Sequence, residues 1–297
     1  MIHNLLKHLK NLMNQIKNIL ALLLYYTGIS YLLFRITNHA GVIRAINYHC
    51  TPALDVRNFE IQLKFYKRYF RDISHSDLSK LLNVGGENKL RKPGIIISFD
   101  DGLRSNFDYA LPLLEKYKFT GWFFLPVGFV LNPSEDFAND HSIICRQKYP
   151  EGRYGLSLDE LKIITAKHVI GCHTFSHHRM DKVDSSEILK FEIFESKITL
   201  EKIIQIPVET FCWVGGELGS YTTAAHTAVK EAGYQFSFTT NNKVISKKND
   251  PLNLNRTNIE SNYSLPLMLF QLCGLMDILY LIKRFKVALK FSANDSN

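Results

Sequence analysis

The sequence predicts an α/β domain built on a parallel sheet with helices over it, either open or closed into a barrel. Short apolar runs alternate with longer segments of helical period between residues 42 and 240, the pattern of strand–helix–strand units. The runs, such as "GIIISF" and "TGWFFLPV", are continuously apolar rather than alternating, as strands buried on both faces are. Two of them end on clusters of acids or imidazoles, "FDDG" and "GCHTFSHH". Sites in parallel α/β folds gather at the carboxyl ends of strands.

The elements run in order along the chain. Residues 1–18 form an amphipathic segment with His3, Lys7, Lys10 and Lys17 among Leu and Ile, and residues 19–34 are almost uncharged. The uncharged run falls short of the roughly 20 residues needed to cross a bilayer. No small-residue cleavage site comes after it, so no cleaved signal peptide is expected, and a cytoplasmic or membrane-associated location is. A basic helix leading into an apolar one suits peripheral contact with an anionic membrane through residues 1–34; a helix packed on the adjoining domain is the alternative. "VIRAINYH" then reads as a strand, 58–69 as a helix, "GIIISF" as a strand, 107–117 as a helix and "TGWFFLPV" as a strand. "LSLDELKIITA" is a helix opened by a capping box, Ser157 with Glu160. "HVIGCH" is a strand, and a long helix over 184–204 carries a second box, Asp184 with Glu187. "TFCWV" and "FSFTT" complete the strands, with a helix over 222–232 between them. Near the end, "LPLMLFQLCGLMDILYLI" is apolar and broken by Asp277. The chain thus divides into 1–41, a domain at 42–260, and an apolar helical segment with a tail at 261–297.

Composition narrows the partners. With 46% hydrophobic and 22% charged residues in a chain of 297, this is a folded protein with a sizeable core. A net charge of +8 favours an anionic partner: a membrane surface, a phosphorylated carrier or nucleic acid. No zinc-finger, RRM or basic-zipper signature is present, so nucleic acid is not expected. Five scattered cysteines without a Cys-x-x-Cys pair argue against a disulfide framework.

"DDG" alone could be an ordinary turn. Its conjunction with a second strand end carrying His173 and His177 changes the balance. A spacing of four places two imidazoles on one face of a helical turn, able to grip one metal. With both motifs in this order, the sequence resembles the polysaccharide deacetylase family, the carbohydrate esterases that share the NodB homology domain. "SFDDG" looks like the family's first motif and "HTFSH" like its His-Ser/Thr-x-x-His second motif. The stretch "LSLDELKIITAKHVIGCHTFSH" is similar along its length. The resemblance covers roughly residues 42–260. It implies a distorted (β/α) barrel, here with apolar helical segments at both ends. It also implies that Asp101, His173 and His177 ligate a divalent metal, expected to be zinc, and that Asp100 is the catalytic base.

The chemistry is coherent. Hydrolysing an acetamide near neutral pH needs a nucleophile stronger than water, which a three-ligand metal site supplies. One carboxylate binds the metal while its neighbour takes the proton. Thr174 and Ser176, between the histidines, read as turn stabilisers.

The departures matter too. Family members commonly carry an Arg-x-x-Pro-Tyr-Gly-like third motif whose arginine orients the base; "FCWVGGELG" stands there instead, with Cys212 in the arginine's place. The family's late Leu-x-His is not evident, and no histidine occurs after His226. A subset of the family, including poly-β-1,6-N-acetylglucosamine deacetylases, has a Tyr-His at the end of the first strand, and "AINYHC" puts His49 there as the candidate acid. Trp213 is expected to wall the acetyl methyl and Gly215 to offer a backbone N–H to the oxyanion. Arg256, in "LNRTNI", is a further candidate near substrate or oxyanion. The expected substrate is an N-acetylated sugar, an oligosaccharide or a lipid-linked glycan. Two other classes stay open: an impaired deacetylase that binds glycan without turnover, and a non-haem iron oxygenase using the same two histidines and carboxylate.

Overall fold

The computed structural model describes residues 2–82 and 91–281, with residues 2–7 and 9–11 as backbone alone. The part of the predicted C-terminal segment at 282–297 lies outside the described residues.

The strands are β1 (Ile43–Tyr48), β2 (Arg71–Asp72), β3 (Gly94–Phe99), β4 (Gly121–Leu125), β5 (Val169–Cys172), β6 (Thr210–Cys212), β7 (Phe236–Thr239) and β8 (Leu254–Asn258). They run in the order β1-β8-β7-β6-β5-β4-β3-β2, and β1 also pairs with β3. Seven parallel strands therefore close into a barrel, and the short β2 hangs on β3. This is the closed one of the two arrangements that the alternating pattern allowed.

Closure explains why the strands are apolar on both faces. Ile43, Ala45, Ile96, Trp122, Phe124, Phe236, Phe238 and Leu254 point inward and fill the barrel. Their neighbours Ile46, Tyr48, Ile95, Ile97, Phe99, Phe123 and Leu125 point outward, under the helices. Inward positions nearer the carboxyl ends turn polar: Asn47, Ser98 and Arg256 are all fully buried. The large aromatics thus plug the lower barrel and leave its upper rim for chemistry.

The helices are α1 (Ile2–Tyr26), α2 (Ile29–Thr37), α3 (Val56–Tyr69), α4 (His75–Leu82), α5 (Leu111–Tyr117), α6 (Val127–Leu131), α7 (Glu135–Asp140), α8 (Leu158–Thr165), α9 (Ser186–Leu189), α10 (Ser196–Ile204), α11 (Thr223–Glu231) and α12 (Leu265–Leu272). The Ser157–Glu160 box opens α8 as expected, with Glu160 N–H donating to Ser157 Oγ at 3.2 Å and Ser157 N–H to Glu160 Oε2 at 2.8 Å. The second box does not form. Ser185, not Asp184, precedes α9, and it makes no side-chain cap. The long helix predicted over 184–204 is interrupted by a π-helical stretch, Lys190–Glu195, that joins α9 to α10. An extra residue in the turn rotates α10 relative to α9, and within this stretch Glu192 is buried at 3% exposure. Nothing local marks β8 as a strand, because in "LNRTN" one leucine leads four polar residues whose partners come together only in the assembled barrel.

Both terminal segments pack on the domain. Phe34 of α2 is buried against Phe65, Tyr69 and Phe70. Asn38 Nδ2 donates to Leu272 O at 2.8 Å. Arg44, pointing out of β1, forms a fork on Asp277 at 2.9 and 3.0 Å. No single described helix is long and apolar enough to cross a membrane; Leu12–Tyr26 and Ile29–Thr37 pass only as a pair, and they meet at 87°.

Candidate active site

Strand register brings the predicted residues together. Tyr48 pairs with Phe99, and Asp100 N–H donates to Tyr48 O at 2.9 Å, so His49 and Asp100 leave neighbouring strands side by side. Leu125 pairs with Cys172, and His173 N–H donates to Leu125 O at 2.9 Å. Tyr48 points outward, its hydroxyl donating to Gln62 Oε1 at 2.6 Å, and His49 therefore faces the rim. A cavity of about 490 Å³ opens there, lined among others by His49, Asp100, Asp101, His173, His177, Trp213 and Gly215.

The adjacent carboxylates separate because the chain turns between them. Asp101 has φ 72° and Gly102 φ 66°, a left-handed pair costing about 1–2 kcal/mol at the non-glycine position. A Cβ on Gly102 would also meet Leu125 Cδ2 at 3.1 Å. Asp100 continues the inward face of β3, whereas Asp101 swings toward the histidines.

Asp101 Oδ1 lies 3.2 Å from His177 Nε2 and 3.6 Å from His173 Nε2. His173 Nδ1 lies 2.8 Å from the Cys212 carbonyl, and His177 Nδ1 2.7 Å from that of His141. A carbonyl only accepts, so both Nδ1 atoms carry the proton and both Nε2 atoms face the carboxylate. The histidines do not sit on the expected helical turn. They occupy a loop in which Thr174 (φ 62°) and His177 (φ 57°) are left-handed, a tighter path that aims both rings at one point.

That loop is held by a residue sequence reasoning missed. The Glu192 carboxylate accepts from the N–H groups of Phe175 at 2.9 Å and Ser176 at 3.0 Å, and from Ser176 Oγ at 2.5 Å. Thr174 Oγ1 accepts from His178 N–H at 3.0 Å, the turn-stabilising role expected of it. An acid within the apolar spacing of "LKFEIF" was the only available signal for Glu192.

The donor set fits a divalent cation. The three ligand atoms lie within 4.8 Å of one another, and donors about 2.0–2.1 Å from a tetrahedral metal stand roughly 3.3 Å apart. Asp101 Oδ1 is buried with no hydrogen-bond partner among the described residues, an orphan that a cation would satisfy. Burial holds His173 neutral, its pKa pushed down to about 4, and the neutral ring is the ligating form. At His177 burial also acts downward, but the Asp101 carboxylate outweighs it and raises the pKa. A second cluster, Asp100 with His173 and Cys212, is equally compact. It suits a metal less well, because burial keeps the Cys212 thiol protonated and Asp100 is already paired.

Asp100 is gripped by Arg256, with Nη1 donating to Oδ1 at 2.7 Å and Nη2 to Oδ2 at 2.8 Å. Asn47 Nδ2 adds a bond to Oδ2 at 3.3 Å. Burial alone would raise the Asp100 pKa; the guanidinium more than offsets it and leaves the carboxyl below its usual range. This corrects the expectation for Arg256. Fully buried, it also donates from Nη1 to Ser98 Oγ at 2.9 Å and from Nη2 to Cys212 Sγ at 2.7 Å, so it faces Asp100 and does not line the cavity. The arginine on Asp100 thus comes from β8, and it also meets the Cys212 thiol at the end of β6.

The remaining candidates line the cavity. Trp213 stacks on Tyr221 at 4.0 Å, and its Nε1–H donates to Ser237 Oγ at 3.3 Å, which leaves the ring as an apolar wall. Gly215 has φ 76°, and a Cβ there would meet Arg179 Nη1 at 2.5 Å. Arg146, Arg179, Asn258 and Glu260 also line the rim; scattered along the chain, they carried no motif.

The sequence profile of the polysaccharide deacetylase family matches residues 87–237, just over half of the chain. Among curated proteins no match is found. Solved structures share the fold. The deacetylase PplD of Streptococcus pyogenes, determined with acetate, is 20% identical with a TM-score of 0.63, over 78% of this chain and 98% of that one. IcaB from Ammonifex degensii is 19% identical with a TM-score of 0.62, over 80% and 98%. The deacetylase domain of BpsB from Bordetella bronchiseptica is 12% identical with a TM-score of 0.58, over 75% and 97%.

Proposed function

The chain belongs to the polysaccharide deacetylase family, and we propose that it removes an N-acetyl group from a sugar in a surface polysaccharide or a lipid-linked glycan. The observation that carries this reading is the division between the two aspartates: Asp100 fixed by Arg256, Asp101 turned to the paired histidines. Asp101, His173 and His177 would hold a divalent metal, zinc by its preference for such donors, which supplies the Lewis acidity to polarise an acyl oxygen and acidify water. Asp100, kept ionised by Arg256, accepts the proton of the attacking water. Trp213 excludes bulk water beside the acetyl methyl, and the Gly215 N–H faces the developing oxyanion. His49 delivers a proton to the departing amine.

A Tyr-His first strand supports kinship with the poly-β-1,6-N-acetylglucosamine deacetylases. The expectation of an impaired enzyme rested on a missing arginine, and Arg256 stands at the base. Residues 1–34 are proposed to bring the protein to a membrane, where a lipid-linked glycan would be met. Acetate release from N-acetylglucosamine oligomers, free and lipid-linked, by metal-loaded protein tests the reading; no release from any of them overturns it.

Metal content is separately measurable. Purified protein should carry close to one zinc per chain, and His177→Ala should lose most of it; elemental analysis showing equal metal in both would remove the site.

His49→Ala should keep metal and fold yet lose about 10²–10⁴-fold in turnover on amides, the usual contribution of a positioned acid. The loss should shrink on activated esters, whose leaving groups need no proton. Equal activity on amides would make His49 structural.

A further inference from the structure

We infer that the elbow between α1 and α2 is a membrane-seating surface, and that its cleft against α3 takes the phosphate headgroup of an anionic phospholipid on Lys64 and Arg68. This deepens the membrane contact proposed above and is independent of the deacetylase chemistry.

The elbow turns at Gly28, with φ 76° and open space around it. On either side the outward faces are apolar. Met13, Ile16, Ile19, Leu23, Leu32 and Ile36 are each more than half exposed. A patch of that extent is rare on a monomer with no partner for it. The inward faces are satisfied, through Ala21 and Phe34, so the outward apolar residues are not awaiting the barrel. At 87° the pair cannot run straight through a bilayer, and its geometry suits lying within one leaflet.

The cleft at the elbow has a volume of about 680 Å³ and is lined by Tyr25, Tyr26, Tyr31 and Tyr69 together with Lys64 and Arg68. Tyrosines at the border of an apolar face and water sit at headgroup depth in a membrane. Arg68 lies over the Tyr69 ring at 5.5 Å, and among the described residues Lys64 has only a long contact with Glu60, at 3.7 Å. No acidic residue precedes Asp55 in the chain. A symmetric dimer through this face would bring the same cations together, whereas an anionic surface complements them.

Flotation of the full chain with vesicles tests the inference. The wild type should bind phosphatidylcholine vesicles weakly and phosphatidylcholine–phosphatidylglycerol vesicles strongly, with the difference erased by high salt. Each cation near such a surface is worth about fivefold in partitioning, so Lys64→Gln with Arg68→Gln should weaken binding to anionic vesicles about 25-fold and leave the weak neutral binding. Leu23→Asp with Leu32→Asp, at exposed positions, should abolish binding to both. Unchanged anionic binding in the Lys64 and Arg68 variant overturns the headgroup site alone. A wild type that floats with neither vesicle overturns the membrane surface, as does a stable dimer in sedimentation that Leu23→Asp dissociates. All variants should hydrolyse a soluble N-acetylated oligosaccharide at the wild-type rate; a wild type that binds vesicles but releases no acetate strikes the deacetylase reading only.

Discussion

Asp100→Asn is expected to abolish nearly all turnover while keeping the metal. An amide cannot take the proton from attacking water, and a positioned base contributes about 10²–10⁴-fold. The substitution also leaves the buried Arg256 guanidinium without its counter-charge. Breaking a buried pair from one side costs about 3–5 kcal/mol, with the low end expected because the amide oxygen still accepts one bond. Asp101→Asn should behave differently. Among the described residues Asp101 has no arginine paired with it and its Oδ1 lacks a hydrogen-bond partner, so its loss should release metal with a smaller fall in unfolding midpoint. Metal analysis and thermal melts of the two variants separate the roles; equal metal loss in both shows that base and ligand have been wrongly divided.

Arg256→Gln should be nearly as damaging, although the arginine does not line the cavity. It would leave Asp100, 2% exposed, as an unpaired buried carboxylate, again at about 3–5 kcal/mol. Turnover should fall mainly through kcat with KM little changed, since substrate binding is not what Arg256 supports. Arg256→Lys should recover only part, because an ammonium cannot reproduce the two-toothed grip. The double variant Asp100→Asn with Arg256→Gln should be more stable than the sum of the single losses predicts, by a coupling of about 0.5–3 kcal/mol or more. Strict additivity in denaturant melts would show that the pair is not the unit described.

The elements legible in the sequence were those whose signal is local. The apolar runs of β3 and β4 state their burial outright, and the Ser157–Glu160 box marks the start of α8. The paired motifs at two strand ends were legible for the same reason, since each is a handful of contiguous residues. The π-helical interruption at Lys190–Glu195 was not legible. Asp184 and Glu187 mimic a capping box, and only the loop that Glu192 supports explains why the helix is re-phased.

By itself the sequence determined the alternating α/β plan, the two adjacent carboxylates at the end of β3 and the paired histidines beyond β5, because covalent order alone puts them where they are. Tertiary structure decided the rest. Whether the sheet closed depended on β1 finding both β3 and β8. Which arginine holds Asp100 depended on a strand 156 residues away in the chain. A polar strand such as β8 has no apolar signal, since its burial is stabilised by charges and hydrogen bonds that exist only once the barrel brings Asp100, Ser98 and Cys212 within reach of one guanidinium.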